Sequence, residues 1–266
     1  MHSQDIPGSM SQVSVLRIND GLRSNADDLV AVEFPLTIIL DNQELVTVLC
    51  SPVSLKYLAV GFLFSEGLLK DKNDIKKIVI DDRKGIAWVE TDGNTDVNAE
   101  VMHKRFITSG CGRGASFYSF ADAQASAQVE SGVKIKSSET CALVNEFQHR
   151  SEVHKATHGV HSAALCDTEN MLVFSEDIGR HNALDKIFGE CILEGIQTDD
   201  RMMIVSGRIS SEMLLKVARR NIPVVVSIAA PTSMGVKLAN DLGITLIGLV
   251  RGKRMNVYSG AWRVAD

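Results

Sequence analysis

Residues 202–250 read MMIVSGRISSEMLLKVARRNIPVVVSIAAPTSMGVKLANDLGITLIGLV, and this stretch decides the fold. An apolar run at 202–206 is followed by helical spacing at 211–220. A second run at 224–228 precedes a helical segment at 233–242, and a third covers 245–250. Strands alternating with helices of about ten residues predict βαβ crossovers and a parallel sheet covered on both faces. Toward the N-terminus, the pattern predicts a strand pair at 160–166 and 171–175 and a helix at 181–193. A further helix is expected at 137–149, capped by Ser137 or Ser138. On the other side, 255–259 reads as a last edge strand.

The character of the chain changes near residue 150. Residues 30–40 (VAVEFPLTIIL) are rich in β-branched side chains, Asp41 to Glu44 is turn chemistry, and 45–50 returns as a strand. Ser54 opens a helix with Leu55, Leu58, Ala59, Phe62 and Leu63 near helical spacing and Gly61 and Gly67 as weak points. Three more strands are expected at 75–80, 86–90 and 97–107. Residues 108–114 (TSGCGRG) hold three glycines in five positions and read as a loop. The fold class is therefore α/β. A β-rich α+β domain at 12–136 carries the Cys111 loop, and an α/β domain follows at 137–266.

Composition narrows the function. The 266 residues are 45% apolar and 23% charged, with a net charge of −5, which suits a globular protein and argues against disorder. Mild acidity gives no reason to expect a nucleic-acid partner. No run approaches the roughly 18 apolar residues of a membrane helix, so no membrane partner is expected. Residues 1–10 lack the basic and apolar regions of a signal peptide and stand outside the fold argument. The five cysteines, Cys50, Cys111, Cys141, Cys166 and Cys191, are odd in number and widely spaced. That predicts no disulfide framework and a reducing, cytoplasmic location.

Ligands of open parallel sheets bind beyond the carboxyl ends of the strands. Three such ends are polar: Ser206 to Ser211 with Arg208, Ala229 to Ser233, and Arg251 to Arg254. Two lead into helices with Ser or Thr caps, which favour anions, and Arg208, Arg251 and Arg254 are suited to bidentate phosphate pairing. The pattern points to a phosphorylated or nucleotide-like ligand; ordinary capping with surface arginines is the competing reading. Neither GxxxxGK[ST] nor a strand-to-helix GxGxxG is present, and the GxSxG nucleophile elbow is also missing. Cys111 sits among glycines with Arg113 two residues away, an arrangement that favours an accessible thiolate. A glycine-rich turn with an incidental cysteine gives the same spacing. His158 and His161 lack the standard zinc spacings and read as capping or core residues. Asp177 to Asn182 (DIGRHN) gathers an acid, a base and His181 before a helix, for binding, proton transfer or capping.

Several ordered blocks resemble one family. They are 157–165 (THGVHSAAL), 176–186 (EDIGRHNALDK), 206–213 (SGRISSEM), 230–233 (APTS) and 248–258 (GLVRGKRMNVY), with 61–67 (GFLFSEG) and 109–112 (SGCG). Together they are similar to the formate dehydrogenase accessory protein family FdhD, over about residues 30 to 259. The resemblance implies a cytoplasmic sulfurtransferase. Such a protein takes sulfur from a cysteine desulfurase as a persulfide and passes it to the molybdenum (or tungsten) bis(molybdopterin guanine dinucleotide) cofactor, which then enters formate dehydrogenase. It also implies a homodimer and a C-terminal three-layer sheet like that of cytidine deaminases, without their zinc. Carried over by position, Cys111 bears the persulfide, and Leu249, Val250, Arg251, Gly252, Lys253 and Arg254 contact the cofactor. Arg208 and His181 are further candidates for that site. Many members have CxxC in the loop, whereas this chain has Gly114 at the second position. That departure leaves open a non-catalytic chaperone that binds and delivers the guanine dinucleotide cofactor. A deaminase-like or nucleotide-hydrolase activity has fold analogy alone behind it.

Overall fold

Turn chemistry and β-branched runs build the N-terminal half, and what each strand pairs with decides where it ends. The computed structural model describes residues 8–92, 106–107, 115–116 and 128–266. Strands β1 (Met10–Asn19) and β2 (Leu22–Ala31) form a hairpin through Asp20 and Gly21, both at positive φ (49° and 84°). Strands β3 (Phe34–Leu40) and β4 (Gln43–Cys50) turn through Asp41 and Asn42, at φ 47° and 66°, as a two-residue hairpin turn requires. The expected single strand over 30–40 is thus two: Val30 and Ala31 pair with β1, and Phe34 onward pairs with β4. Helix α1 (Leu55–Ser65) follows, then β5 (Ile75–Asp81) and β6 (Ile86–Thr91). The sheet order is β4-β3-β6-β5, with β3 and β6 parallel. Of the strand expected at 97–107, Phe106–Ile107 forms β7 against β8 (Ala115–Ser116), and 97–105 lie outside the described residues.

Strand β9 (Ile135–Lys136) leads directly into α2 (Ser137–Gln148), so Ser137 is already helical and neither serine caps; Lys136 holds the N-cap position. Then come α3 (Glu152–Thr157), β10 (His161–Cys166), β11 (Met171–Asp177), α4 (Arg180–Glu194), β12 (Met202–Val205) and α5 (Ser211–Ala218). The chain ends with β13 (Val224–Ser227), α6 (Ser233–Asp241), β14 (Thr245–Arg251), β15 (Arg254–Ser259) and β16 (Val264–Ala265), which pairs with β9. The six-stranded sheet runs β11-β10-β12-β13-β14-β15. Only β12, β13 and β14 are mutually parallel; β10, β11 and β15 run antiparallel to their neighbours. The parallel core expected from the βαβ crossovers is present, and the sheet as a whole is mixed because strands joined by short turns reverse direction.

Strand alternation divides the core into two layers. Leu165, Met203, Val205, Val225 and Leu246 face α4, α5 and α6. Cys166, Met202, Ile204, Val226 and Ile247 face Leu143 and Phe147 of α2. In the N-terminal sheet, Leu36, Ile38 and Leu40 pack on Leu58 and Leu63 of α1.

Helix α1 is apolar on two sides because the side away from the sheet packs on α4, and Lys56 is left exposed. Gly61, expected as a weak point, is the contact itself: a Cβ there would lie 1.7 Å from the Asp185 carbonyl oxygen. A Cβ on Gly189 would lie 1.9 Å from the Tyr57 carbonyl oxygen. Two buried ionic clusters flank this crossing. Lys186 Nζ sits 2.7 Å from Asp177 Oδ2, both essentially without exposure, and donates to the Glu176 carbonyl at 3.1 Å. Ser51 N donates to the same Asp177 carboxylate at 2.9 Å. On the other flank, Lys216 bridges Asp185 (2.7 Å) and Glu66 (3.6 Å), while Ser65 Oγ donates to Asp185 at 2.6 Å. Buried charges persist only when paired and hydrogen-bonded, so both clusters tie the two halves together in one register.

Candidate functional site

All six strands of the C-terminal sheet present one end to a common edge. The carboxyl ends of β11, β12, β13 and β14 lie there, and so do the amino ends of the antiparallel β10 and β15. The edge therefore carries Asp177, His161, Ser206, Ile228, Arg251 and Arg254 from neighbouring strands. Helices α4, α5 and α6 all begin at it. Ser210 Oγ accepts from Met213 N, and Thr232 Oγ1 accepts from Gly235 N, so the two expected caps are in place. Three helix N-termini concentrate positive potential at this edge.

The residues read from the sequence as a phosphate site fall together here. Ile209 bridges to Pro231, and Leu249 N donates to the Ala229 carbonyl at 3.2 Å, which joins the three strand ends. Arg208, Arg251, Lys253 and Arg254 are all exposed beside them. Gly252, at φ 57°, turns β14 into β15 and places Arg251 opposite Arg254. Leu249 holds φ 55°, where β14 and β15 slip register. A branched side chain held in the left-handed region marks stored backbone strain, which clusters at ligand sites. Val250 differs from its neighbours: it is 1% exposed within the core facing α2, so only its backbone reaches the edge.

The DIGRHN segment divides its work. Asp177 Oδ1 accepts from Gly179 N and from Asn182 Nδ2, both at 2.9 Å, and Asn182 also donates to the Leu49 carbonyl at 2.8 Å. These are capping and tethering roles. Arg180 and His181 face the edge instead. The Arg180 side chain lies over Gly207, whose added Cβ would meet it at 3.0 Å. His181 Nε2 sits 3.2 Å from Glu212 Oε2. Burial by itself raises the Glu212 carboxyl, but the His181 bond and charge, with Lys216 and Arg180, outweigh it and hold it below the usual range.

Beside these cations lies a cleft of ≈ 360 Å³ with Phe147, Ile178 and Ile228 as apolar walls and His154, His161 and Ser206 as polar ones. His158, read as a capping or core residue, ends α3 at φ 52°. His161, read as core or cap, instead opens on the cleft, and His154 carries no expectation from the sequence. Its i, i+4 spacing to His158 is the only signal, and that spacing equally describes a solvated helix face. Among the described residues, no group of three or more His, Cys, Asp or Glu is placed to hold a metal.

Burial pushes the His161 imidazole below its ordinary value, helped by the charge on Arg180 and by His154 and His181 and opposed by Asp177. A depressed folded value means that the stability is fully present above the unfolded value, about 6.5, and is lost as pH falls through the folded one. His161→Gln is therefore expected to flatten the decline of unfolding free energy as pH falls below about 6.5, as read by urea titration. Superimposable slopes for the two proteins would count against this assignment.

Four cysteines are described and all are free. Burial pushes Cys50, Cys166 and Cys191 each up to about 12, and it raises Cys141 as well. None of the four is a ready thiolate. Cys111, the predicted sulfur-bearing residue, lies outside the described residues.

A mixed α/β protein with a cationic sheet edge and a histidine-lined cleft is the class that fold and site define. Comparison with known proteins gives the family. The FdhD/NarQ family model matches residues 31–265. A sulfur carrier protein FdhD from Bacillus subtilis is 40% identical over 252 residues, covering 95% of this chain and 96% of that protein. One from Staphylococcus aureus is 40% identical over 252 residues, covering 95% of each. The crystal structure of a proposed formate dehydrogenase accessory protein from Desulfotalea psychrophila matches with a TM-score of 0.80 at 28% identity, covering 96% of this chain and 99% of that one. The chain belongs to the FdhD/NarQ family.

Proposed function

We propose that this protein carries sulfane sulfur on Cys111 between a cysteine desulfurase and the molybdenum bis(molybdopterin guanine dinucleotide) cofactor, before that cofactor enters formate dehydrogenase. In the loading step the Cys111 thiolate attacks the terminal sulfur of the desulfurase persulfide. The donor S–S bond breaks, the desulfurase cysteine leaves as thiolate, and a new S–S bond forms on Cys111. The observation that carries the reading is the state of the other cysteines: burial raises all four away from the nucleophilic form, which leaves Cys111, beside Arg113, as the carrier.

The cofactor is cargo, and the sheet edge is its dock. Arg251, Lys253 and Arg254 neutralise pyrophosphate charge, the strained Leu249 and Gly252 shape the turn, and Arg208 and His181 border the same edge. The relatives named as sulfur carriers and the accessory protein of similar structure support this reading. The C-terminal three-layer arrangement follows the cytidine-deaminase plan, and the protein works as a homodimer in the reducing cytoplasm.

The test is incubation with a cysteine desulfurase and cysteine, followed by intact and peptide mass spectrometry. A sulfur-sized increase localised to the Cys111 peptide is expected. No adduct there, with the desulfurase shown to be active in parallel, would replace the carrier reading with that of a cofactor-delivering chaperone.

A further inference from the structure

A second cleft, of ≈ 450 Å³, lies at the amino ends of β12 and β13, whereas the cationic edge lies at their carboxyl ends. Both halves of the chain line it. The 3-10 turn Lys72–Asp74 comes from the N-terminal half, and the last turns of α4 and α5 with residues 196–199 come from the C-terminal half. Its volume falls within the range of ligand pockets, about 300 to 1,000 Å³. Three cations line it, and two of them are tied to carbonyls. Lys72 Nζ donates to the Leu193 carbonyl and Arg219 to the Ser65 carbonyl, in the last turns of α4 and α1, where cations complement the helix dipole. Arg220 is tied to none. Its guanidinium carbon stands 4.8 Å from the centre of the Phe64 ring. The group makes no hydrogen bond or ion pair with any described residue, and its Nε is shut off from solvent without an acceptor. Burial pushes this guanidinium down from its ordinary value. Stacking on a ring fixes the plane of the fork and leaves its in-plane N–H groups free to meet an acceptor. A desolvated cation without one is costly, so the place is set for an incoming anionic oxygen.

The same cleft holds the opposite sign. Asp199 Oδ1 accepts from Asn221 Nδ2 at 2.6 Å, and no described donor meets Oδ2. Asp71 Oδ1 accepts from Asn73 N at 2.6 Å. The carboxyl ends of α4 and α5 add negative potential. That field disfavours a dianion such as phosphate, whereas a ligand carrying both charges meets a partner for each. Ile192 and Ile196 supply an apolar wall. We infer that this cleft binds a free α-amino acid with an apolar side chain. Its carboxylate takes the Arg220 fork, its ammonium faces Asp199, and its side chain lies against Ile192 and Ile196. No residue of the cationic edge takes part, so the inference stands apart from the sulfur-carrier reading.

The test follows the methyl NMR shifts of Ile192 and Ile196 in the full chain during titration with L-leucine, L-leucinamide and 4-methylpentanoate. The amide lacks the carboxylate, and the acid lacks the ammonium. Saturable shifts are expected with leucine, and each analogue should bind about tenfold more weakly, since each loses a charge-assisted hydrogen bond. Arg220→Lys keeps the charge but loses the fork. It should weaken leucine and 4-methylpentanoate by about tenfold and leave leucinamide unchanged. Asp199→Asn keeps the oxygen that Asn221 uses. It should weaken leucine and leucinamide by about two- to fivefold without weakening 4-methylpentanoate. Thermal unfolding of both variants checks that they are folded; if Arg220→Lys is not, the analogue series on the wild-type chain and Asp199→Asn decide. Shifts that do not saturate with leucine, or analogues that bind as tightly as leucine, overturn the inference and leave Arg220 as a cover over the Phe64 ring.

Discussion

A Cys111→Ala variant is expected to lose formate dehydrogenase maturation completely while keeping the affinity of the wild-type protein for GDP. The two readouts come apart because thiol and nucleotide edge have different physical origins. The edge is built from three helix N-termini, two of them capped by Ser210 and Thr232, and from arginines on β14 and β15. Position 111 supplies none of these. No other described cysteine can take over, since Cys50, Cys166 and Cys191 are pushed up to about 12 and Cys141 is raised too. The measurement is formate dehydrogenase activity in cells complemented with either gene, beside nucleotide titration of both purified proteins. Undiminished maturation with the alanine variant would exclude sulfur carriage by Cys111 and favour the chaperone. The absence of a second loop cysteine, with Gly114 in its place, makes this variant the cleanest possible deletion of the chemistry.

Gly189→Val is expected to cost about 3 kcal/mol or more, or roughly 10 °C in Tm for a chain of this length. The added Cβ would stand 1.9 Å from the Tyr57 carbonyl oxygen, which belongs to helix backbone and cannot swing away. Helices α1 and α4 must then separate. Separation strains both buried clusters at once, since Lys186–Asp177 and Lys216–Asp185 hold charges that tolerate no loss of partner. Gly132→Ala is the control: nothing lies within 4 Å of its added Cβ, and a change within about 0.5 kcal/mol is expected. Thermal unfolding of the two variants beside wild type decides the matter, and equal melting temperatures would rule out a close-packed crossing.

The C-terminal elements are legible in the sequence. The strands and helices between Met202 and Ser259 appear within a few residues of where periodicity and caps place them, because both signals are local to the chain. The same locality makes Ser210, Thr232 and the basic turn at Arg251 to Arg254 readable as a binding edge from residue types and spacing alone. Whatever depends on which segments meet is decided by the folded chain instead. Strands β10 and β15 run against the rest of the sheet, and Val30 leaves its expected strand for a different partner. Gly61 becomes a contact, because the residue it needs to approach is 124 positions away at Asp185. His154 gains a hydrogen-bonded Nδ1 from the carbonyl at Val160, and His161 gains a partner in the Ser206 hydroxyl. Propensity, capping and hydropathy act over a few residues and are written in the chain, whereas packing, buried pairing and imidazole tautomers arise from neighbours that only folding supplies.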